Sequence, residues 1–183
     1  MFAGNIGEAQ DFPAILDAAE QLTMYHHIRW LVVGDGRMSG WVKEEVIRRG
    51  LGGKFVLLGR YPPDRMPSFY RHAHALLVSL KPNPIFSMTI PGKIQSYLAT
   101  GLPIIGMLDG EGSRVIEEAG AGLTVPAGHS KKLAHVVLKM ANMTASEQSE
   151  MGSNGQAYAR KEFNRESLVS RLEKLLANLA YTR

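Results

Sequence analysis

An alternation constrains this chain more than any other feature. Short apolar runs at residues 2–5, 28–33, 55–58, 75–79, 103–108 and 123–125 are separated by longer stretches whose apolar residues recur at helical spacing. Runs that are apolar throughout, rather than at every second residue, suit strands covered on both faces, and the intervening helices supply that cover. The pattern therefore predicts an α/β fold: a doubly wound parallel sheet of about six strands with a helical carboxyl-terminal tail. Neither a repeat nor a linker interrupts it, so 1–183 reads as a single domain.

Punctuation residues set the expected helix limits. Asp11 and Pro13 open a helix over 11–23, Gly50 stops one over 41–49, and Asp64 begins a short helix carrying Met66, Phe69 and Tyr70. Residues 81–86, rich in Pro and Asn, read as a loop. Pro91 fits the first turn of a helix that reaches Thr100 and ends at Gly101. Further helices are expected over 113–119, 130–141 and, from the capping box Thr144/Glu147, to about Phe163. A last amphipathic helix carries Leu168, Leu172, Leu175, Leu176 and Leu179 on one face. Trp30, Trp41 and Phe55 are expected in the core.

Sheets of this kind bind ligands beyond the carboxyl ends of their strands. The loops at 4–7, 34–36, 59–63, 80–91 and 108–112 are therefore the places to look. Composition narrows the ligand. The formal charge of +4 is mild and its Lys and Arg are scattered, which gives no support for nucleic-acid binding. Cysteine is absent, so neither disulfides nor thiolate chemistry enter. No apolar stretch approaches the ~20 residues that span a bilayer, and no signal peptide is visible. The expected location is cytoplasmic. His26, His27, His72 and His74 lack metal-ligand spacing, so no metal and no cofactor are expected.

Three glycine-containing segments carry the candidate chemistry. Gly34 and Gly36 follow the second strand, where glycine lets backbone amides approach a phosphate, although a plain turn needs the same residues. The dinucleotide fingerprint fails, because Ser39 holds the place of its third glycine and Gly40 comes one position late. From Ser87 to Lys93 the chain has the outline of a phosphate loop, but Ser87 replaces its first glycine and Ile94 its Mg²⁺-binding hydroxyl. What survives is a helix start at Pro91, Gly92 and Lys93, where free N–H groups and an ammonium can face an anion. Gly4, Asn5 and Gly7 form a similar turn after the first strand.

In order, the segments AGNIGEAQDF, WLVVGDGR, FVLLGRYPPDRMPSFYRHAHALLVSL, TIPGKIQSYLATGLPIIG and GEGSRVIEEAGAGLTVPAG resemble glycosyltransferase family 4, in its Rossmann-like carboxyl-terminal half of the GT-B fold. The nearest subgroup is the bacterial L-fucosamine (N-acetyl-L-fucosamine) transferases of surface-polysaccharide assembly. The resemblance implies a retaining glycosyltransferase that takes a UDP-sugar donor. Its acceptor, a glycan or a lipid-linked glycan, would bind an amino-terminal domain not included in 1–183, and the full-length enzyme would associate peripherally with the inner face of the membrane. On this reading the chain is a fragment, inactive alone.

Family positions carry over unevenly. An Arg and a Lys that bind diphosphate in the family fall at Asn5 and Gln10; two Glu eight apart fall near Ser87 or Met88 and at Ser96. The expected substitutes are Gly4, Asn5 and Gly7 as backbone and amide donors to the diphosphate, with Lys93 and Arg60 supplying charge and no metal. The backbone at Arg60 and Tyr61 would flank the base. Gln95 and Ser96 would meet the ribose, and Ser87, Met88 and Thr89 the sugar. Two other readings stay open at this point: a non-catalytic nucleotide or phospho-sugar sensor, and a nicotinamide-dependent oxidoreductase.

Overall fold

The structure is a computed structural model and describes residues 1–181. Its strands are β1 (Phe2–Ala3), β2 (Trp30–Val33), β3 (Phe55–Gly59), β4 (Leu76–Ser79), β5 (Ile104–Met107) and β6 (Gly122–Val125). The helices are α1 (Phe12–Gln21), α2 (Ser39–Arg48), α3 (Met66–Tyr70), α4 (Pro84–Ser87), α5 (Gly92–Thr100), α6 (Glu111–Glu118), α7 (Ser130–Ala141), α8 (Ala145–Glu162) and α9 (Arg165–Tyr181). The strands form two three-stranded parallel sheets, β1-β2-β3 and β4-β5-β6. These abut along β1 and β4, where the Leu77 amide donates to the Met1 carbonyl at 2.8 Å and the Met1 ammonium to the Ala75 carbonyl at 2.7 Å. Laid side by side the strands run 3-2-1-4-5-6, the order of doubly wound nucleotide-binding sheets, whose direction reverses between β1 and β4.

Alternation along each strand sends successive side chains to opposite faces. Phe2, Trp30, Val32, Leu77, Ile105 and Met107 join Phe12, Ile15, Leu16, Val42 and Leu133 on the side of α1, α2 and α7. Ala3, Val33, Leu76, Val78 and Ile104 turn the other way, onto Ile94, Tyr97, Leu98, Val115 and Ile116 of α5 and α6. Trp30 stacks on Phe55 with centroids 6.3 Å apart.

Three expectations are corrected. The first strand ends at Ala3, because Gly4 turns the chain at φ +134°. Residues 81–86 are not all loop: Asn83 caps the Ile85 amide at 2.8 Å and Pro84 supplies a preset first turn, so α4 forms. Trp41 is not core but 37 % exposed, on the outer side of α2. Leu168, Leu172, Leu175, Leu176 and Leu179 do recur at helical spacing in α9, yet every one of them is exposed. Among the described residues, no helix is long and apolar enough to cross a membrane.

Candidate functional site

Beyond the carboxyl ends of β1, β2 and β3 lies a cleft of about 970 Å³. Its floor is Ala3, Gly4, Asn5 and Gly34 to Gly36; its wall is Arg60 to Pro63, with Met66 and Tyr70. The floor depends on glycine. The Gly34 amide donates to Gly59 at 2.8 Å and the Gly4 amide to Val33 at 2.8 Å, which draws the ends of three strands together. A Cβ on Gly34 would overlap the Gly4 carbonyl, and one on Gly36 would overlap the Ile6 carbonyl. These two glycines serve backbone-to-backbone packing.

Helix α5 reaches this cleft from the far side of the β1–β4 divide. Ile94 and Leu98 are buried in the domain, while Lys93 and Tyr97, four residues apart on one face, point at β1. The buried Tyr97 hydroxyl accepts from the Ala3 amide at 2.9 Å and donates to the Ala3 carbonyl at 3.1 Å. One oxygen thus satisfies both main-chain groups of Ala3, and burial pushes its ionisation well above the usual tyrosine range. One turn earlier, Lys93 Nζ lies 3.6 Å from the centroid of the Phe2 ring. Its stem occupies the place where a Gly4 side chain would begin: Cε is 2.5 Å from an ideal Cβ there. Burial lowers the pKa of this amine to about 7.

The site as drawn from sequence is partly brought together. Gly4, Asn5, Gly34, Gly36, Arg60 and Tyr61 line one cleft, and Lys93 touches its floor at Gly4. The amides of Gly4 and Gly7, expected as donors to a ligand, are already engaged by Val33 and by the Gln10 side chain at 3.1 Å. What remains is the exposed Asn5 carboxamide, which is 3.5 Å from Gln10 Oε1. Gln95 and Ser96 line a different groove, with Gln156, Arg160 and Phe163, between α5 and α8. Ser87, Met88 and Thr89 lie at the end of α4; the Ser87 carbonyl packs so tightly on Gly110 that a side chain there would overlap it. Pro91 is the N-cap of α5 and Gly92 its first residue, exposed at the helix start.

Sequence reasoning missed Tyr97 and Asp35. Asp35 lines the cleft and accepts from the Ser39 hydroxyl at 2.6 Å and the Gly36 amide at 2.8 Å, bonds that hold its carboxyl below the usual range. Its position directly after β2 was the available signal. Nothing in the pattern marked Tyr97, because an aromatic on a buried helix face reads as core. Tyr61 is 40 % exposed and packs on Phe69 with centroids 4.5 Å apart, leaving an aromatic surface at the rim. A second cavity of about 490 Å³ opens at the opposite ends of the strands, lined largely by apolar core residues such as Ile15, Trp30, Leu77 and Met140. It lacks the glycine turns of the first, and its polar lining includes Arg29, His27, His72 and His74. Among the described residues no cluster of His, Asp and Glu is suited to a metal ion.

An open parallel sheet whose strand order reverses between β1 and β4, with a glycine-floored cleft beyond its strand ends, defines the class of doubly wound α/β domains. The chain belongs to the glycosyl transferases group 1 family, whose model matches residues 1–143. Solved structures agree in fold. Residues covering 95 % of this chain superpose on 35 % of S. aureus TarM, determined with UDP, at a TM-score of 0.81 and 13 % identity. HepE of Anabaena, determined with UDP and glucose, matches 96 % of this chain over 48 % of its own, at 0.78 and 17 %. The carboxyl-terminal domain of LpcC, a group 1 family glycosyl transferase of Francisella tularensis, matches 90 % of this chain over 86 % of its own, at 0.72 and 17 %. The chain thus spans between about a third and a half of the TarM and HepE chains. No curated protein is matched by sequence.

Proposed function

We propose that this chain is the donor half of a two-domain, retaining glycosyltransferase that takes a UDP-sugar. A second α/β domain of similar size, not included in 1–183, would supply the acceptor site, and 1–183 alone would transfer nothing. In the reaction the anomeric carbon–oxygen bond to the diphosphate breaks, an acceptor oxygen bonds to that carbon, and its proton leaves to a base outside this half. Lys93 and Arg60 would stabilise the charge that develops on the departing diphosphate. Asn5 would add an amide donor, and Tyr61 would give the base a flat surface to rest on.

One observation carries the reading. Lys93 is held at the end of β1, at the edge of the cleft, by packing on Phe2 and Gly4, and among the described residues it makes no ion pair. A cation that the fold places at a strand end without an anion suits an anionic ligand. The family supports a glycosyl donor, and the UDP in two structures of the same fold supports the nucleotide. The ordered motifs, with the PGK sequence at the start of α5, support an L-fucosamine-type donor sugar and a role in bacterial surface polysaccharide. The acceptor would then be a glycan or a lipid-linked glycan, with the full enzyme in the cytoplasm at the inner face of the membrane.

Titration calorimetry with UDP, ADP and GDP tests the assignment. UDP is expected to bind best, and Lys93→Ala to weaken it about tenfold or more, the worth of one charge-assisted contact. Equal affinity for all three nucleotides would remove the UDP assignment. Tight binding together with transfer-independent effects on a partner would favour the sensor reading instead.

A further inference from the structure

Lys93 is an amine whose surroundings suit its neutral form until an anion arrives. Phe2, beneath Nζ at 3.6 Å, is 2 % exposed and is itself fixed edge-on against Phe12, with centroids 5.1 Å apart. On the other side the Lys93 stem lies against Gly4, with Nζ 2.9 Å from the ideal Cβ position. Around it, β1 offers no ionisable side chain, and α5 offers the Tyr97 phenol, which is bonded to Ala3. From α3 comes Tyr70, edge-on to Tyr97 at 6.2 Å. The charged groups of the cleft are Asp35, occupied by Ser39 and Gly36, and Arg60, whose charge acts on Asp35. A half-buried ammonium in this position has lost water on several sides and gained only a ring face.

We propose that a diphosphate bound at the end of β1 draws a proton from solvent onto Lys93 Nζ, so that donor binding and protonation of this amine are one coupled event. This inference rests on the donor reading above. The step is a single transfer: the Nζ lone pair accepts one proton from water or buffer, –NH₂ becomes –NH₃⁺, and no other bond changes. The phosphate oxygens then supply the opposite charge that the free site lacks, which raises the affinity of Nζ for its proton. Starting from a pKa of about 7 in the free site, donor affinity falls as pH rises above that value, by about tenfold for each unit. Release of the diphosphate, conversely, returns the proton.

Calorimetry of the whole chain with UDP, at about pH 8 in buffers of low and high ionisation enthalpy, reads the coupling directly. The terminal phosphate of UDP is fully ionised there, having its second pKa near 6. With the free-site value at about 7, a net uptake approaching one proton per UDP is expected. Lys93→Arg, whose guanidinium is always charged, should bind with no uptake, whatever its affinity. A Lys93 Cε signal followed by NMR should titrate near pH 7 without UDP and well above it with UDP, which keeps the test open if the variant does not fold. Binding of UDP without uptake, or uptake that persists in Lys93→Arg, overturns the coupling and leaves the donor reading standing. Failure of UDP to bind in any buffer overturns the donor reading, while the NMR midpoint still reports on the amine.

Discussion

Replacing Tyr97 with Phe removes one oxygen from the buried seam between the two half-sheets. That oxygen bonds both the Ala3 amide, at 2.9 Å, and the Ala3 carbonyl, at 3.1 Å, and both residues are almost fully buried. Loss of a typical hydrogen bond costs about 1 kcal/mol, and a buried donor left unsatisfied costs about 1–3 kcal/mol. The ring itself stays, so no cavity of consequence adds to this. The sum is about 2–4 kcal/mol, or a fall in Tm of roughly 4–16 °C for a domain of this size. Urea denaturation should show a lower midpoint with an unchanged slope. UDP affinity should fall as well, since Tyr97 seats the turn of α5 that carries Lys93. High pH supplies a second signature. Burial raises the Tyr97 pKa, so its contribution is present below the unfolded value of about 10 and is lost as pH rises through the folded one. Wild type should therefore lose stability more steeply above about pH 10 than Tyr97→Phe. A stability change below about 0.5 kcal/mol, with the alkaline limb unaltered, would refute the idea that this hydroxyl closes the seam.

Two further outcomes follow from the geometry. Gly34→Ala should abolish folding or cost about 4 kcal/mol or more, since the new methyl meets main chain rather than a movable side chain and φ is +147°; soluble expression and circular dichroism would show it. Thr144→Ala should cost about 1 kcal/mol by removing the hydroxyl that accepts from the Glu147 amide at 3.2 Å, leaving UDP affinity unchanged because the cap is remote from the cleft.

The site was less legible than the fold. Gly4, Gly34 and Gly36 were found from their place after strands, but their physical reason differs from the one first assigned. Glycine there lets β1, β2 and the Lys93 stem approach one another, and the amides that glycine exposes are already bonded. Gln95 and Ser96 were expected to meet the ribose, yet their side of α5 lines the groove against α8. Helical spacing fixes which residues share a face; which neighbour that face meets is set by packing.

By itself, the sequence determined the elements, because burial on both faces, helix caps and glycine stops act within a few residues of where they are read. It determined the α/β class for the same reason. Only the tertiary structure decided that β1 lies beside β4 and that Tyr97 bonds Ala3 across 94 positions of chain. Only it decided that Lys93 comes to rest on Phe2 and Gly4. Those are contacts between residues far apart in sequence, and their energies depend on the burial and orientation that the assembled sheet imposes, which no local pattern encodes.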